Sequence, residues 1–387
     1  MMRTPSATKT AGGVGSLKTP MPTLGDSRIS LYFHFPFCSR KCPYCHFFVL
    51  PNKSTDKANF LPSLLKEWEL RLPLIHNRTI ASLYFGGGTP TLLIEGIAAI
   101  LERCHPDCEI TVETNPEDVT PALMSELYRL GVNRISIGVQ SLNNTLLKHL
   151  GRTHTASAAC AAVEITRNAG IENINIDLMY ELPYQTLESW KETVTRACAL
   201  PITHLSLYNL TFEPHTVFHK NQGALSPHLP SPEESADMLA FACNSFEAAG
   251  LKRYEISAFG RPSIHNSGYW TGRDFLGFGP SAFSYLEGKR FRNIPHLNKY
   301  RKRIEEGHPP VDFEEKLSPL ASLHERLAIG LRLMEGMTID TLPLSTEKIL
   351  IELEQEGLIT YQRPHLALTP QGCLFYDTVA EKLILID

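Results

Sequence analysis

The sequence lacks any apolar run approaching the roughly 18 residues that a membrane-spanning helix needs, so its 387 residues are expected to hold no membrane span. It also lacks an excess of either charge. Its 37 Lys and Arg face 41 Asp and Glu, a net charge of −4, and so balanced a chain offers no basic face for nucleic acid. Cysteine is sparse. The nine present are odd in number and mostly isolated, a poor disulfide framework, so a reduced, cytoplasmic setting is the better reading. The N-terminal stretch shows no apolar signal-peptide core. It has no acid before Asp26, while Arg3, Lys9 and Lys18 are present. Its Gly and Pro content argues against the amphipathic helix of an organelle-targeting peptide. Residues 1–27, rich in Thr, Ser, Gly, Pro and Ala, read as a disordered tail.

What is present is apolar mass and periodicity. Hydrophobic residues form 43% of the chain, enough for a large core, and about 150 residues per domain implies two or three domains. From Arg28 onward, short β-branched and apolar runs alternate with helical stretches. Strands are predicted at "ISLYFHF" (29–35), "IASLYFG" (80–86), "EITVET" (109–114), "RISIGV" (134–139), "NINIDLM" (173–179) and "HLSLYNL" (204–210). "ALMSELYRLG" (122–131) and "SAACAAVEITRNAG" (157–170) predict helices closed by glycine. Strand–helix repeated about six times predicts a parallel α/β sheet. In barrels built this way the functional groups sit where strands end. The polar oddities fall there. Three cysteines follow the first strand and "GGGTP" (86–90) follows the second. Glu113 closes the third, Gln140 follows the fourth, and Asp177 sits late in the fifth. Five such residues or turns in successive units point to one cavity. The stretch 215–295 is less periodic and rich in His, Pro and aromatics. Beyond it, 295–307, 318–336 and 346–356 read as helices. Residues 357–372 read as two short strands around a turn, and a last helix closes the chain. That arrangement resembles a winged helix.

"CSRKCPYC" carries Cys38, Cys42 and Cys45 at the spacing C-x3-C-x2-C. Thiolates so spaced can wrap one face of an iron–sulfur cluster, which normally takes four cysteines; three leave one iron open to an outside ligand. A structural zinc site competes and needs a fourth ligand, for which His34 and His46 are near enough in sequence. Three unrelated buried thiols is the bland alternative. The 15 histidines suit metal or proton chemistry. Cys104 and Cys108 in "CHPDC" have a metal-like spacing but no partner pair follows. Cys160, Cys198, Cys243 and Cys373 read as small apolar core residues.

"YFHFPFCSRKCPYCHFF" after one strand and "YFGGGTPT" after the next resemble the radical S-adenosylmethionine (SAM) superfamily. With "ETNPEDVT", "GVNRISIGVQSLN", "LGRTH", "NIDLMYELPYQT" and "HNSGYW", the resemblance extends over the chain beyond the tail. It is closest to the anaerobic, oxygen-independent coproporphyrinogen III oxidase family, in particular its heme chaperone HemW branch. The resemblance implies a partial (β/α)6 radical SAM barrel over 28–260 and a linking region over 261–310. A C-terminal α+β, winged-helix-like domain of HemW type would occupy 311–387. It implies a [4Fe-4S] cluster on Cys38, Cys42 and Cys45, with the fourth iron chelated by the amino and carboxylate groups of SAM. It further implies SAM contacts at Tyr32, Tyr44, Gly87, Gly88, Thr89, Glu113, Gln140, Arg152 and Asp177. The residue types suit those roles. Glu113 and Asp177 can hold ribose hydroxyls or the SAM amino group, and Arg152 can hold a carboxylate. Gln140 both donates and accepts, and glycines let the backbone approach closely. Each also has a bland reading as a capping, ion-pair or packing residue.

Two features divide the family. The decarboxylase proper resembles C-x3-C-x2-C-x-C, and here Phe47 stands at the last cysteine. The chaperone branch carries H-N-x-x-Y-W, here His265, Asn266, Tyr269 and Trp270. Imidazole is an axial ligand for heme iron, and aromatics pack on a macrocycle. The bland alternative has His265 and Asn266 capping a turn while Tyr269 and Trp270 fill a core. In "GFGPSAFS" (277–284), Phe283 replaces a histidine that related chaperones often have, so that position offers no ligand; His34 remains a candidate. The expectation is a chaperone that binds cluster, SAM and heme and passes heme to an acceptor such as a respiratory hemoprotein. An electron donor would serve the cluster, and membrane contact would be peripheral. The alternative is a radical SAM oxidoreductase, coproporphyrinogen III oxidase, which forms protoporphyrinogen IX by two oxidative decarboxylations. A zinc-binding regulator with a winged helix comes third, since the charge balance gives it no DNA face.

Overall fold

Apolar and polar residues alternate along each of the six runs, so each strand has one greasy face and one polar face. The computed structural model describes residues 27–104 and 107–384. The segment read as a tail therefore lies outside the described residues except for Ser27, as do positions 105–106 of "CHPDC". All six runs are strands: β1 (Arg28–Phe35), β2 (Thr79–Gly87), β3 (Glu109–Thr114), β4 (Arg134–Gln140), β5 (Asn173–Tyr180) and β6 (His204–Asn209). They pair in parallel, each with the next in chain order. Their apolar face (Leu31, Phe33, Val112, Ile137, Ile176, Leu205) packs on helix residues such as Trp68, Ile97, Leu127, Val163 and Trp190. Their other face is polar and bonded across strands. Ser82 donates to Ser30 at 2.9 Å, Asn175 to Ser136 at 2.7 Å and Ser206 to Asn175 at 3.1 Å.

The helices between strands start and stop where the residues dictate. In Pro121–Arg129, proline opens the first turn and the Thr120 hydroxyl accepts from the Leu123 amide at 3.2 Å. Gly131, at φ +88°, ends it. Its amide donates to Tyr128 O at 2.9 Å while Val132 N–H reaches Leu127 O at 3.0 Å, the paired bonds that a left-handed glycine permits.

The stretch 215–295 is far more regular than it reads. It holds the 17-residue helix Pro232–Ala248, begun by a reciprocal cap between Ser231 and Glu234. It also holds β7 (Arg253–Glu255), β8 (Ala258–Gly260), β9 (Phe275–Phe278), β10 (Phe283–Leu286) and β11 (Lys289–Asn293). With β12 (Val311–Lys316) these complete a 12-stranded sheet in the order β12-β11-β10-β9-β1-β2-β3-β4-β5-β6-β8-β7. β9 extends the parallel set beside β1, and the added edge strands are antiparallel. Residues 261–310 thus contribute three strands to the main sheet.

A second core gathers Leu327, Leu331, Leu350, Leu353, Leu366 and Leu383. It lies between helices Pro319–Gly330, Leu344–Gln355 and Tyr376–Ile384 and a sheet of Met337–Thr338, His365–Leu368 and Ile359–Gln362. This is the α+β, winged-helix-like end of an otherwise α/β chain. Among the described residues no helix is long and apolar enough to cross a membrane.

One buried ion pair ties the helix after β1 to the strands beyond 270. Glu67 and Arg71, fully or almost fully buried, meet at 3.2 Å one turn apart on Ser54–Ile75. Glu67 also accepts from Gly279 N–H, Tyr300 OH and Asn293 Nδ2, each at 2.7 Å. Arg71 donates to Gly277 O at 2.8 Å and Asn293 Oδ1 at 2.6 Å. Replacing Glu67 by Ala is expected to cost about 3–5 kcal/mol by stranding a buried guanidinium, and Glu67→Gln to cost less. Urea denaturation followed by circular dichroism reads both. Equal midpoints for wild type and Glu67→Ala would strip this pair of the role.

Candidate functional site

The cysteine loop begins where β1 ends. Phe37–Cys38 pairs in parallel with Leu50–Pro51, which pins both ends of the loop, and Cys45 N–H turns back to Cys42 O at 3.1 Å. All three thiols are half-buried and free. Burial pushes the Cys38 thiol up to about 11 against the pull of a Thr89 hydrogen bond, and burial raises Cys45 as well. Each sulfur meets a donor: the Thr89 hydroxyl reaches Cys38 at 3.7 Å, Arg152 Nη1 reaches Cys42 at 3.4 Å, and the Phe47 amide serves Cys45. Donors to sulfur are what thiolate ligands of a cluster use to tune it.

The zinc alternative fits poorly. His34 spends both ring nitrogens: Nε2–H donates to Phe48 O at 2.8 Å, so Nδ1 accepts from Tyr32 OH at 3.0 Å. Burial holds this imidazole down to about 4. His34 is therefore a packing residue, not a ligand. His46 is exposed against Phe47. Among the described residues no three His, Cys, Asp or Glu side chains converge on a point for one ion. A cluster makes a different demand, because each thiolate takes its own iron.

The glycine turn follows β2 and lies along the cysteine strand, with Gly88 N–H on Phe35 O at 2.8 Å and Thr89 N–H on Phe37 O at 2.7 Å. Gly87 sits at φ +103°, and a Cβ there would come 2.4 Å from the His34 ring. No other residue fits. Glu113, late in β3, accepts from Tyr84 OH at 2.7 Å and Gly87 N–H at 3.1 Å. Burial, reinforced by the nearby Asp177 charge, lifts it to about 7, although the Tyr84 bond pulls the other way. Burial raises Asp177 too, while Asn175 donates to it at 2.7 Å.

Arg152 organises the other side. Its Nη2 donates to Asn115 Oδ1 at 2.7 Å and Gly138 O at 2.8 Å. Asn115 Nδ2 in turn donates to Thr89 at 2.9 Å. Gln140 has φ 66°, a strained setting of the kind found at functional sites, and its amide shares the space over Gly138 with Arg152. Tyr44 packs edge-on to Phe218 at 6.2 Å. Tyr32 lies 6.1 Å from the Tyr84 ring. The structure thus gathers Gly87, Gly88, Thr89, Glu113, Gln140, Arg152 and Asp177 with the cysteines at the strand C-termini, and Tyr32 and Tyr44 flank them. Asn115 and Tyr84, bonded to Arg152, Thr89 and Glu113, are neighbours of these residues that the sequence reading missed. Asn115 lies inside "ETNPEDVT", and Tyr84 shares its strand face with Ser82.

The "HNSGYW" residues pack behind Tyr84, the His265 ring lying 4.8 Å from its ring. They form helix Ile264–Trp270, capped by Ser263. The buried Glu109 carboxylate accepts from His265 N–H at 2.9 Å and Ile264 N–H at 3.1 Å. His265 is 1% exposed. Because Ser82 donates to Ser30, His265 Nδ1–H must donate to Ser82 at 2.9 Å, and Nε2 accepts from Tyr269 OH at 2.8 Å. Burial drops its affinity for a proton to about 3. In this arrangement both ring nitrogens of His265 are engaged within the protein, Nδ1 by Ser82 and Nε2 by Tyr269. Asn266 sits one residue further along, and its N–H donates to Ser263 Oγ at 3.2 Å. Trp270 carries Arg332 over its ring at 4.4 Å.

Residues 32–197 match the radical SAM superfamily profile. Heme chaperone HemW of Lactococcus lactis subsp. lactis is 35% identical, covering 92% of this chain and 98% of its own. Heme chaperone HemW of Bacillus subtilis is 33% identical, covering 90% and 97%. Among solved structures, the radical SAM enzyme coproporphyrinogen III oxidase (HemN) of Escherichia coli superposes with a TM-score of 0.81. It is 24% identical and covers 92% of this chain and 90% of its own, a likeness of fold. With relatives this similar over nearly their whole length, the chain belongs to the heme chaperone HemW family of the radical SAM superfamily.

Proposed function

We propose that this chain holds a [4Fe-4S] cluster on Cys38, Cys42 and Cys45, binds SAM beside it, binds heme and passes that heme to an acceptor protein. The observation that carries the reading is the edge where three thiols, each with its own donor, meet a glycine turn and two buried carboxylates. The cluster supplies one-electron chemistry at an iron that three protein ligands leave open. The chain's own residues do the rest. Arg152, braced by Asn115 and Gly138, offers fixed positive charge for a carboxylate. Glu113, raised to about 7, holds or releases a proton near neutrality. Asp177 and Gln140 offer acceptors for an amino group or ribose hydroxyls, and Tyr44 packs on Phe218 beside the loop.

The relatives' printed name, heme chaperone, supports heme as the cargo. A respiratory hemoprotein suits the acceptor and a reducing protein suits the cluster. Nine free thiols suit a cytoplasmic place of action. The decarboxylase alternative gains nothing at position 47, where an exposed Phe47 stands in place of a fourth cysteine.

Anaerobic reconstitution is expected to load about four iron and four sulfide per chain, and Cys38→Ala, Cys42→Ala or Cys45→Ala each to lose the brown absorbance. Stoichiometric zinc without sulfide would sink the cluster. Asp177→Ala is expected to weaken SAM by about tenfold, or ~1.4 kcal/mol, at unchanged iron content; equal affinity by calorimetry would take Asp177 out of the site. Heme-loaded protein mixed with an apo-hemoprotein is expected to transfer its Soret band to the acceptor. Retention of all heme by the donor would refute delivery.

A further inference from the structure

A cavity of about 730 Å³ opens at the opposite edge of the sheet from the cysteines, a size suited to a small-molecule ligand. Its wall includes Arg28, the first residue of β1, Arg78, just before β2, and Phe275, the first of β9. Those strands are parallel, so the cavity lies where they begin and the cysteine loop where β1 ends. Seven steps along β1, at ~3.3 Å each, separate the two edges by roughly 23 Å.

Two properties describe what the cavity would take. It is aromatic, lined by Tyr269, Trp270, Phe275, Phe283 and Tyr285; Tyr269 meets Phe275 edge-on at 4.7 Å, and Phe275 stacks on Tyr285 at 6.4 Å. It is also electropositive. Arg28, Arg78, Arg273, Arg290 and Arg326 line it beside Asp274, Glu287 and Glu325. Arg78 takes Asp274 and Glu287, at 2.6 and 3.0 Å, and Arg290 takes Glu325 and, outside the lining, Glu315, each at 2.6 Å. All three lining carboxylates are thereby matched. Arg326, exposed on helix Pro319–Gly330, makes no ion pair among the described residues. A flat apolar ring with two carboxylates is complementary to such a wall.

We propose that this cavity is the seat of heme, held by its ring face on the aromatic wall and by its propionates at the arginines. The inference rests on the heme-chaperone reading and deepens it. Among the described residues no histidine or cysteine lines the cavity, and His265 lies behind Tyr269. The ring is gripped, not its metal.

The test titrates the full-length chain with hemin and with metal-free protoporphyrin IX, beside Arg326→Glu and Phe283→Ala. Both side chains are exposed, Phe283 by 51%, so neither change should unfold the chain. Wild type is expected to saturate near one ring per chain, with affinities for the two porphyrins within about threefold. Arg326→Glu is expected to weaken both by about tenfold and Phe283→Ala by several-fold. Saturable binding unchanged in both variants would overturn the cavity and leave the chaperone reading standing. Tight hemin with no protoporphyrin binding would overturn it too, pointing to an iron ligand elsewhere. No saturable hemin binding in the wild type would bring down the chaperone reading itself.

Discussion

Parallel pairing is the constraint on which the site depends. Strands that run the same way must end at the same edge, so residues far apart in sequence arrive as neighbours. The register makes this concrete. β2 and β3 pair Phe85 with Val112, which sets Glu113 beside Gly86. A Cβ on Gly86 would lie 2.9 Å from the Glu113 carboxyl. One carboxylate thus reaches Tyr84 before the turn and Gly87 within it, and the turn has no freedom to drift from the cysteine strand. The same polarity leaves the strand beginnings together at the other edge, where the arginines collect.

Two opposing forces meet at the thiols. Burial favours the neutral thiol, and the donors from Thr89, Arg152 and Phe47 favour the thiolate. At Cys38 burial wins, since its pKa stands above the ordinary thiol value. Hydrogen bonds alone do not ionise Cys38; a cation that coordinates its sulfur would. The loop is therefore preorganised in shape more than in charge. Its shape is held by short backbone pairing at its two ends and by Arg152, which joins Cys42 to Asn115 and Gly138.

Much of this was legible beforehand, for a physical reason. A strand whose one face packs on helices writes its burial directly as alternation, so "EITVET" and "NINIDLM" carry both the strand and the inward side of Glu113 and Asp177. Motif order did the same for the thiols and the glycine turn. The stretch 215–295 was less legible. Its strands are three to five residues long, too short for a period to register. Yet the helix at Pro232–Ala248 carried the signal Ser231-Pro232-Glu233-Glu234, a capping box with proline in the first turn. Asn115 was missed because its role is a pair of bonds, to Thr89 and Arg152, that only tertiary structure brings together.

"HNSGYW" is the place where residue type says least about the hydrogen bonds the side chains make. Histidine beside aromatics suggests a ligand, and the hydrogen bonds give His265 a structural task as well. Its helix begins on the Glu109 carboxylate, a favourable partner for the positive end of a helix. Its imidazole ring lies 4.8 Å from Tyr84, whose hydroxyl serves Glu113 at the cofactor edge. Its Nε2 accepts from Tyr269, which lines the arginine cavity at the other edge. His265 therefore braces the aromatic wall against the polar face of the sheet. A side chain without those nitrogens would leave the Tyr269 hydroxyl without its acceptor and Ser82 without its donor in a buried place.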